Sequence, residues 1–239
     1  MESIVEDYQL LAELKEETRL PMGDSASPKG IIYHIAQDNS KLVKVLDIGF
    51  GTGGLGRIIK SNIQTQHWII DGIDGWSVNC LNKNLIEEKI YRNIWCGLAQ
   101  ELPGEIISNY DIICLLDVIE HLDCETAKWL LRFLLSSMGE NSSLFISTPL
   151  WYYPQNQQQD GDLEEHLIGI PATSMFSLIP ITYSISPPLI GGFVYRKESL
   201  KYIDFFQPTP NKKFSYEMGM RILKSINMPA EPGVVYKVN

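Results

Sequence analysis

The sequence predicts one doubly wound α/β domain with a mostly parallel sheet. Three observations point there. Short apolar, β-branched runs recur at residues 43–48, 68–73, 91–96, 110–116 and 143–147, and near-continuous apolar runs mark strands buried on both faces. Segments with helical spacing separate them, and strands alternating with helices imply a parallel sheet with right-handed crossovers. A glycine-rich loop follows the first run directly, and open sheets of this kind bind ligands beyond the C-terminal ends of their strands.

The elements follow in chain order. Ile4, Tyr8, Leu11 and Leu14 are spaced as on one helix face. They predict a helix over residues 4–20, ended by Pro21 and Gly23. With the loop MGDSASPKG and a helical stretch over residues 31–37, residues 1–40 read as an N-terminal helical cap or lid. Met22 and Tyr33 are then candidates to touch a substrate. Residues 41–239 form the main domain. In it, Leu55, Ile58 and Ile59 mark the apolar face of a helix, and a second helix covers residues 77–87. A longer helix, residues 125–138, presents Ala127, Leu130, Leu131, Leu134 and Leu135 on one broad face. Residues 151–169 are polar and aromatic without clear periodicity, and residues 151–178 with the C-terminal tail read as substrate-side additions. Residues 179–185 and 193–196 suit a final antiparallel pair, and residues 216–226 a helix.

Composition sets limits. Of 239 residues 44% are hydrophobic and 21% charged, an ordinary globular balance that supports a core without disulfides or a structural metal. The net charge of -9 argues against a protein that coats nucleic acid backbone. The local basic group Lys41, Lys44, Arg57 and Lys60 reads as a solvated face. Cys80, Cys96, Cys114 and Cys124 include no C-x-x-C pair and no zinc-type spacing. Cys96 and Cys114 lie in strand-like runs, where a reduced cysteine is a small core residue. This usage fits a reducing, cytoplasmic setting. The acidic N-terminal segment has no signal-like apolar stretch, and no segment reaches the length of a membrane span.

The sharpest motif is VKVLDIGFGTGGLG, residues 43–56. It places Asp47 at the end of a buried strand, just before the first glycine. A carboxylate there repels a pyrophosphate but attracts a cofactor carrying ammonium and sulfonium charges. The next strand ends in IIDGIDGW, residues 69–76. A carboxylate at that tip accepts both hydroxyls of a ribose. Asp74 is preferred over Asp71 because the apolar pattern continues through Ile73.

LDIGFGTGGLG, GIDGW and YDIICLLDVIEHL, in this order and spacing, resemble the class I S-adenosylmethionine-dependent methyltransferases over roughly residues 41–170. The resemblance implies a Rossmann-like, seven-stranded, mostly parallel sheet and S-adenosyl-L-methionine as cofactor. It places Asp47 near the methionine moiety, with Gly49, Phe50, Gly51 and Gly53 lining the cofactor and Asp74, Gly75 and Trp76 at the ribose. Leu98, Ala99 and Asp117 complete the expected contacts. Leu98 stands where the family often carries an acid for the adenine amino group, and leucine cannot accept that hydrogen bond. Backbone carbonyls or Gln100 would have to do so.

The fourth run leads into LLDVIEHLD, which sets Asp117, Glu120 and His121 at the same sheet edge. His121 reads either as a base taking a hydroxyl proton or as a structural histidine bonded to a carbonyl. His166, in GDLEEHLIG, follows the fifth run and can face His121. Asp117, His121 and His166 are therefore the catalytic candidates. Glu120, His121 and His166 form a possible oxygen and nitrogen ligand set for a divalent ion such as Mg²⁺ or Mn²⁺. Trp151, Tyr152 and Tyr153 offer aromatic faces to a sugar, a ring or a base. The D-V-I-E-H-L element is similar to that of bacterial small-molecule and glycan methyltransferases, which implies O-methylation of a small-molecule or glycan acceptor. It is also similar to metal-assisted RNA 2'-O-methyltransferases. A non-catalytic cofactor-binding domain is the reading from another class, a nucleoside-cofactor oxidoreductase is the remaining rival, and a homodimer stays open.

Overall fold

In the computed structural model, the described residues are 3–6, 29–35, 41–157, 159 and 161–238. Their strands are β1 (Ser3–Glu6), β2 (Lys44–Ile48), β3 (Ile69–Asp74), β4 (Asn93–Cys96), β5 (Ile112–Leu116), β6 (Ser143–Pro149), β7 (Thr182–Ser186), β8 (Ile190–Tyr195) and β9 (Val235–Val238). They form one sheet in the order β1-β9-β7-β8-β6-β5-β2-β3-β4. Strands β2 to β6 pair in parallel, and β7, β8, β9 and β1 join antiparallel. The segment β4-β3-β2-β5-β6-β8-β7 is the seven-strand order of class I methyltransferases in a Rossmann-like sheet. The sheet has nine strands rather than the expected seven, because β9 and β1 extend its β7 edge.

Period-2 alternation explains the two layers. On β5, Ile113 and Leu115 face one core, while Ile112, Cys114 and Leu116 face the other. On β2, Leu46 and Ile48 share the first core, which sends Val45 and Asp47 to the opposite face. The first core is closed by the long helix Cys124–Ser137, whose buried face is Ala127, Leu130, Leu131, Leu134 and Leu135. Asp123 caps that helix, accepting from the Glu125 and Thr126 amides at 3.0 and 2.9 Å. The second core holds Leu55, Ile58 and Ile59 of the helix Gly54–Ser61.

Several expectations need correction. Residues 3–6 form a strand where a helix from residue 4 was predicted. β-branched Ile4 and Val5 suit a strand, and pairing with β9 satisfies the backbone there. The remainder of that helix, Met22 and most of the following loop lie outside the described residues. The stretch 77–87 is two short helices, Ser77–Cys80 and Asn84–Glu87, instead of one. Tyr33, in the short helix Ile32–Ile35, is buried and donates to the Ile58 carbonyl at 2.7 Å, so it packs on the second core and is not among the residues lining the cavity described below. Cys96 is exposed, because β4 is the sheet's edge and Cys96 ends it. Cys114 is buried as expected. The helix Ala172–Ser177 and strand β9 carried no clear periodic signal. No helix among the described residues is long and apolar enough to cross a membrane.

Candidate functional site

A cavity of about 560 Å³ opens at the C-terminal ends of β2, β3, β4, β5 and β6. Its position follows from topology. The chain reverses strand order between β2 and β5, and the loops leaving these strands diverge to leave a crevice.

The first side is the glycine loop. Gly49 has φ +70°, and a Cβ there would sit 2.5 Å from Val118 Cγ2, so only glycine fits the turn. Asp47 is buried, and its Oδ2 accepts from the Tyr91 hydroxyl at 2.6 Å. Burial first, and then the neighbouring Asp47 carboxylate, hold the Tyr91 hydroxyl well above its ordinary value, so it remains a donor. Gly53 does not line the cavity; at φ +86° it turns the loop into the helix Gly54–Ser61. Gly49, Phe50 and Gly51 do line it, with Asp47.

The two aspartates of β3 have different surroundings. Asp74 faces the cavity and ties the loops together. Its Oδ2 accepts from the Gly51 amide at 2.9 Å and Asn79 Nδ2 at 3.2 Å, and its Oδ1 from the Trp76 amide at 2.8 Å. Asp71 is fully buried away from it, held by Arg92, by the Tyr110 hydroxyl at 2.7 Å and by both nitrogens of Asn93. Burial alone would raise the Asp71 carboxyl, yet these donors and the Arg92 charge hold it below its ordinary value. Gly75, Trp76, Leu98, Ala99 and Gln100 line the same end as Asp74.

The opposite end collects Asp117, Glu120, His121 and His166. Asp117 has φ +56°, a left-handed conformation that costs a non-glycine residue of order 1–3 kcal/mol. Three contacts fix it: its amide donates to the Ser147 carbonyl at 2.9 Å, the Ser147 hydroxyl donates to Oδ1 at 2.9 Å, and Lys29 Nζ lies 3.4 Å from Oδ2. Glu120 is buried and accepts from the Thr148 hydroxyl at 3.0 Å. Burial, then the nearby Asp117 charge, push its carboxyl well above the ordinary value.

The two histidines meet edge to face, with ring centroids 4.5 Å apart. His121 Nδ1 lies 3.2 Å from the Glu165 carbonyl, and His166 Nδ1 lies 2.6 Å from the Tyr153 carbonyl. A carbonyl only accepts, so both Nδ1 atoms carry the proton in this network, and Nε2 is each ring's lone-pair atom. Burial lowers His121, and burial with the nearness of His121 takes His166 down to about 4. Both rings are therefore neutral near pH 7. One ligand atom from each of Glu120, His121 and His166 lies within 4.8 Å of the others.

Of the aromatics after β6, Tyr153 lines the cavity, Trp151 packs against it at 5.2 Å, and Tyr152 is buried with its hydroxyl on the His166 carbonyl. Sequence reasoning did not single out Lys29, Tyr91, Thr148 or Leu163. Lys29 lines the cavity from the start of the short 3-10 helix Lys29–Ile31, which has no periodic signal, and Tyr91 and Thr148 contribute through partners distant in sequence.

No family model matches this sequence, and no curated protein does. Among solved structures the chain is similar to the PH0226 protein from Pyrococcus horikoshii OT3, with 12% identity, 77% of this chain and 98% of that chain covered, and a TM-score of 0.49. It is also similar to the YcgJ protein from Bacillus subtilis, with 18% identity, 54% and 52% covered, and a TM-score of 0.42. PKMT2 from Rickettsia typhi in complex with AdoHcy matches at 22% identity over 46% of this chain and 21% of that chain, with a TM-score of 0.38. The match thus spans about half of the YcgJ chain and about a fifth of the PKMT2 chain. Likeness at these identities concerns the fold.

Proposed function

We propose that this chain transfers a methyl group from S-adenosylmethionine to a hydroxyl of a small molecule or glycan. One observation carries the reading: Asp47, Gly49, Gly51 and Asp74 open onto the same cavity as Glu120, His121 and His166. The cofactor, when bound, supplies a sulfonium-linked methyl that is already a strong electrophile. The residues of the chain then need mainly to align the acceptor and remove or disperse its proton.

Asp47 and Asp74 suit the cofactor half. A carboxylate has about four lone-pair sites, and Asp74 already accepts from Gly51, Trp76 and Asn79, so it keeps capacity for about one ribose hydroxyl. Asp47, Asp74, Asp117 and Glu164 line the cavity, and among the described lining residues Lys29 is the one lysine or arginine. This sign attracts a cationic cofactor and repels a phosphate-bearing acceptor, which argues against RNA.

His121 and His166 suit the acceptor half. As neutral imidazoles each can accept a proton or ligate a cation. The donor set of one carboxylate and two imidazoles fits a divalent ion such as Mg²⁺ or Mn²⁺, and the Nδ1–H bonds to backbone carbonyls are the outer partners such ligands use. An ion held there would supply Lewis acidity toward the acceptor hydroxyl. In this reading the main domain from residue 41 onward carries the chemistry, while Lys29 ahead of it holds Asp117, and Ser3–Glu6 extends its sheet.

Calorimetry with S-adenosylmethionine and with NAD tests the cofactor. Binding of the first and not the second is expected, and the reverse result removes the reading. Methyl transfer assayed after exhaustive chelation, then with Mg²⁺ or Mn²⁺ added, tests the ion. Recovery with the ion supports the triad, while full activity without it leaves His121 as a simple base.

A further inference from the structure

Leu163 is a half-exposed leucine in an otherwise polar stretch, and it reaches back across the cavity to the far side. A Cβ placed on Gly75 would lie 2.8 Å from Leu163 Cδ1 and 3.0 Å from Leu98 Cδ2. The two leucines therefore converge on the bare backbone of Gly75, the residue after Asp74. Leu163 is 52% and Leu98 43% exposed, so their mutual packing leaves much apolar surface facing the cavity they line.

The position of Leu163 is enforced by its neighbours. Asp162 is buried, and its carboxylate accepts from the Gln159 amide at 2.6 Å and the Glu164 amide at 3.2 Å. Gln157 donates to the Asp162 carbonyl at 3.1 Å, and Gln155 to the Glu164 carbonyl at 2.9 Å. The His166 amide then closes on the Gln155 carbonyl at 3.1 Å. Five polar contacts thus hold up one apolar side chain, which itself stays largely unburied. Leu163 is thereby held where it lines the cavity.

We propose that Leu163, seated with Leu98 on Gly75, completes an apolar clamp surface on which the nucleoside end of the cofactor packs. The proposal rests on the cofactor reading above. It assigns to the segment after β6, otherwise an acceptor-side element, a direct contact with the cofactor. It also answers the substitution of Leu98 for an acid: the flat face of the base packs on two adjoining aliphatic side chains in place of an edge held by a carboxylate. Apolar burial of a ring between such groups is non-directional and scales with the area covered.

The test is calorimetry on the full chain with two probes, S-adenosylhomocysteine and 5'-methylthioadenosine, which share the nucleoside but not the amino acid. L163A should bind both roughly tenfold more weakly, the loss expected for most of one leucine contact. L163M should bind both nearly as the unaltered protein does. Gly75→Ala supplies a second variant should L163A fail to fold; by displacing both leucines it should weaken both probes. If L163A binds both probes normally, or loses only S-adenosylhomocysteine, the clamp is wrong while the cofactor reading stands. An unaltered protein that binds neither probe sinks the cofactor reading and the clamp together.

Discussion

Asp47, Gly49, Gly51 and Asp74 reach the cavity from β2 and β3, which are neighbours in the sheet, and each lies within a few residues of a strand end. Glu120 and His121 meet His166 only because the chain runs up β6 and folds back over the sheet edge. The first end is held by backbone amides on a carboxylate, as with Gly51 and Trp76 on Asp74. The second is held by side chains on distant carbonyls, as with His121 on Glu165 and His166 on Tyr153. The difference teaches that one cavity can combine a locally encoded half, fixed as the sheet forms, with a half that exists only once the later segment has docked. Damage to the β2–β3 carboxylates or to the histidines should leave the other set working, with Leu163 as the one side chain of the later segment that reaches the cofactor end.

The strongest way to break this separation is at His166. His166→Ala should lower kcat by roughly 10²–10⁴-fold, the usual contribution of a positioned proton acceptor or its equivalent. Cofactor affinity by calorimetry should hardly change. A variant that loses cofactor binding as heavily as turnover would show that the two ends are one unit.

The next effect belongs to β3. Asp74→Asn should weaken S-adenosylmethionine binding roughly tenfold or more, since hydrogen bonds to a charged acceptor contribute roughly 1.5–3 kcal/mol. Asp47→Ala should weaken it too, by removing a favourable charge. Asp71→Asn should leave cofactor affinity alone and cost roughly 2 kcal/mol of stability, because Arg92 and the Tyr110 hydroxyl lose a charged acceptor. Its pH signature has a definite sign. The folded carboxyl of Asp71 is lowered, so the unfolded chain binds the proton more readily. Stability from Asp71 is present above the unfolded value near 3.9 and is lost as pH falls through the lower folded value. Acid denaturation monitored by circular dichroism should therefore show a shallower acid limb in Asp71→Asn. If this variant weakens cofactor binding and Asp74→Asn does not, the two carboxylates have been given each other's roles.

The same contrast governs what could be read from the sequence. Residues 43–56 and 69–76 announced their end because a strand, a turn and an acid adjoin in the chain, and β3 runs to Asp74 in keeping with the apolar pattern through Ile73. Glu120, His121 and His166 were legible as residue types at strand ends, and the fold brings them together. Lys29 and Leu163 were not legible. A lone lysine in the sequence Pro-Lys-Gly and a lone leucine in a polar stretch carry no period, and their meaning lies in what they face. Strand β1 was misread because four residues of chain at an edge are decided by the partner strand β9, not by their own spacing. Tyr91 was read only as part of a strand, although its hydroxyl acts on Asp47, far away in sequence.

Tyr91→Phe is the finest test of how self-contained the cofactor end is. The ring fills space left by two glycines: a Cβ on Gly56 would lie 2.7 Å from Tyr91 Cε2, and one on Gly72 would lie 3.1 Å from Cε1. Phenylalanine keeps that ring, so the substitution removes little but the hydroxyl and its 2.6 Å bond to Asp47 Oδ2. Asp47 stays buried with one donor fewer, which should cost about 1 kcal/mol or somewhat more in denaturant unfolding, with an unchanged m-value. Asp47 keeps its charge and its place on β2, so S-adenosylmethionine affinity should fall only a few-fold, well short of Asp74→Asn. Turnover at saturating cofactor should stay near the unaltered level, because the Tyr91 hydroxyl touches neither histidine. A loss of turnover with intact binding would mean that the Tyr91–Asp47 bond sets where the methyl group points, and would tie the locally encoded end to the reaction end through a single hydrogen bond.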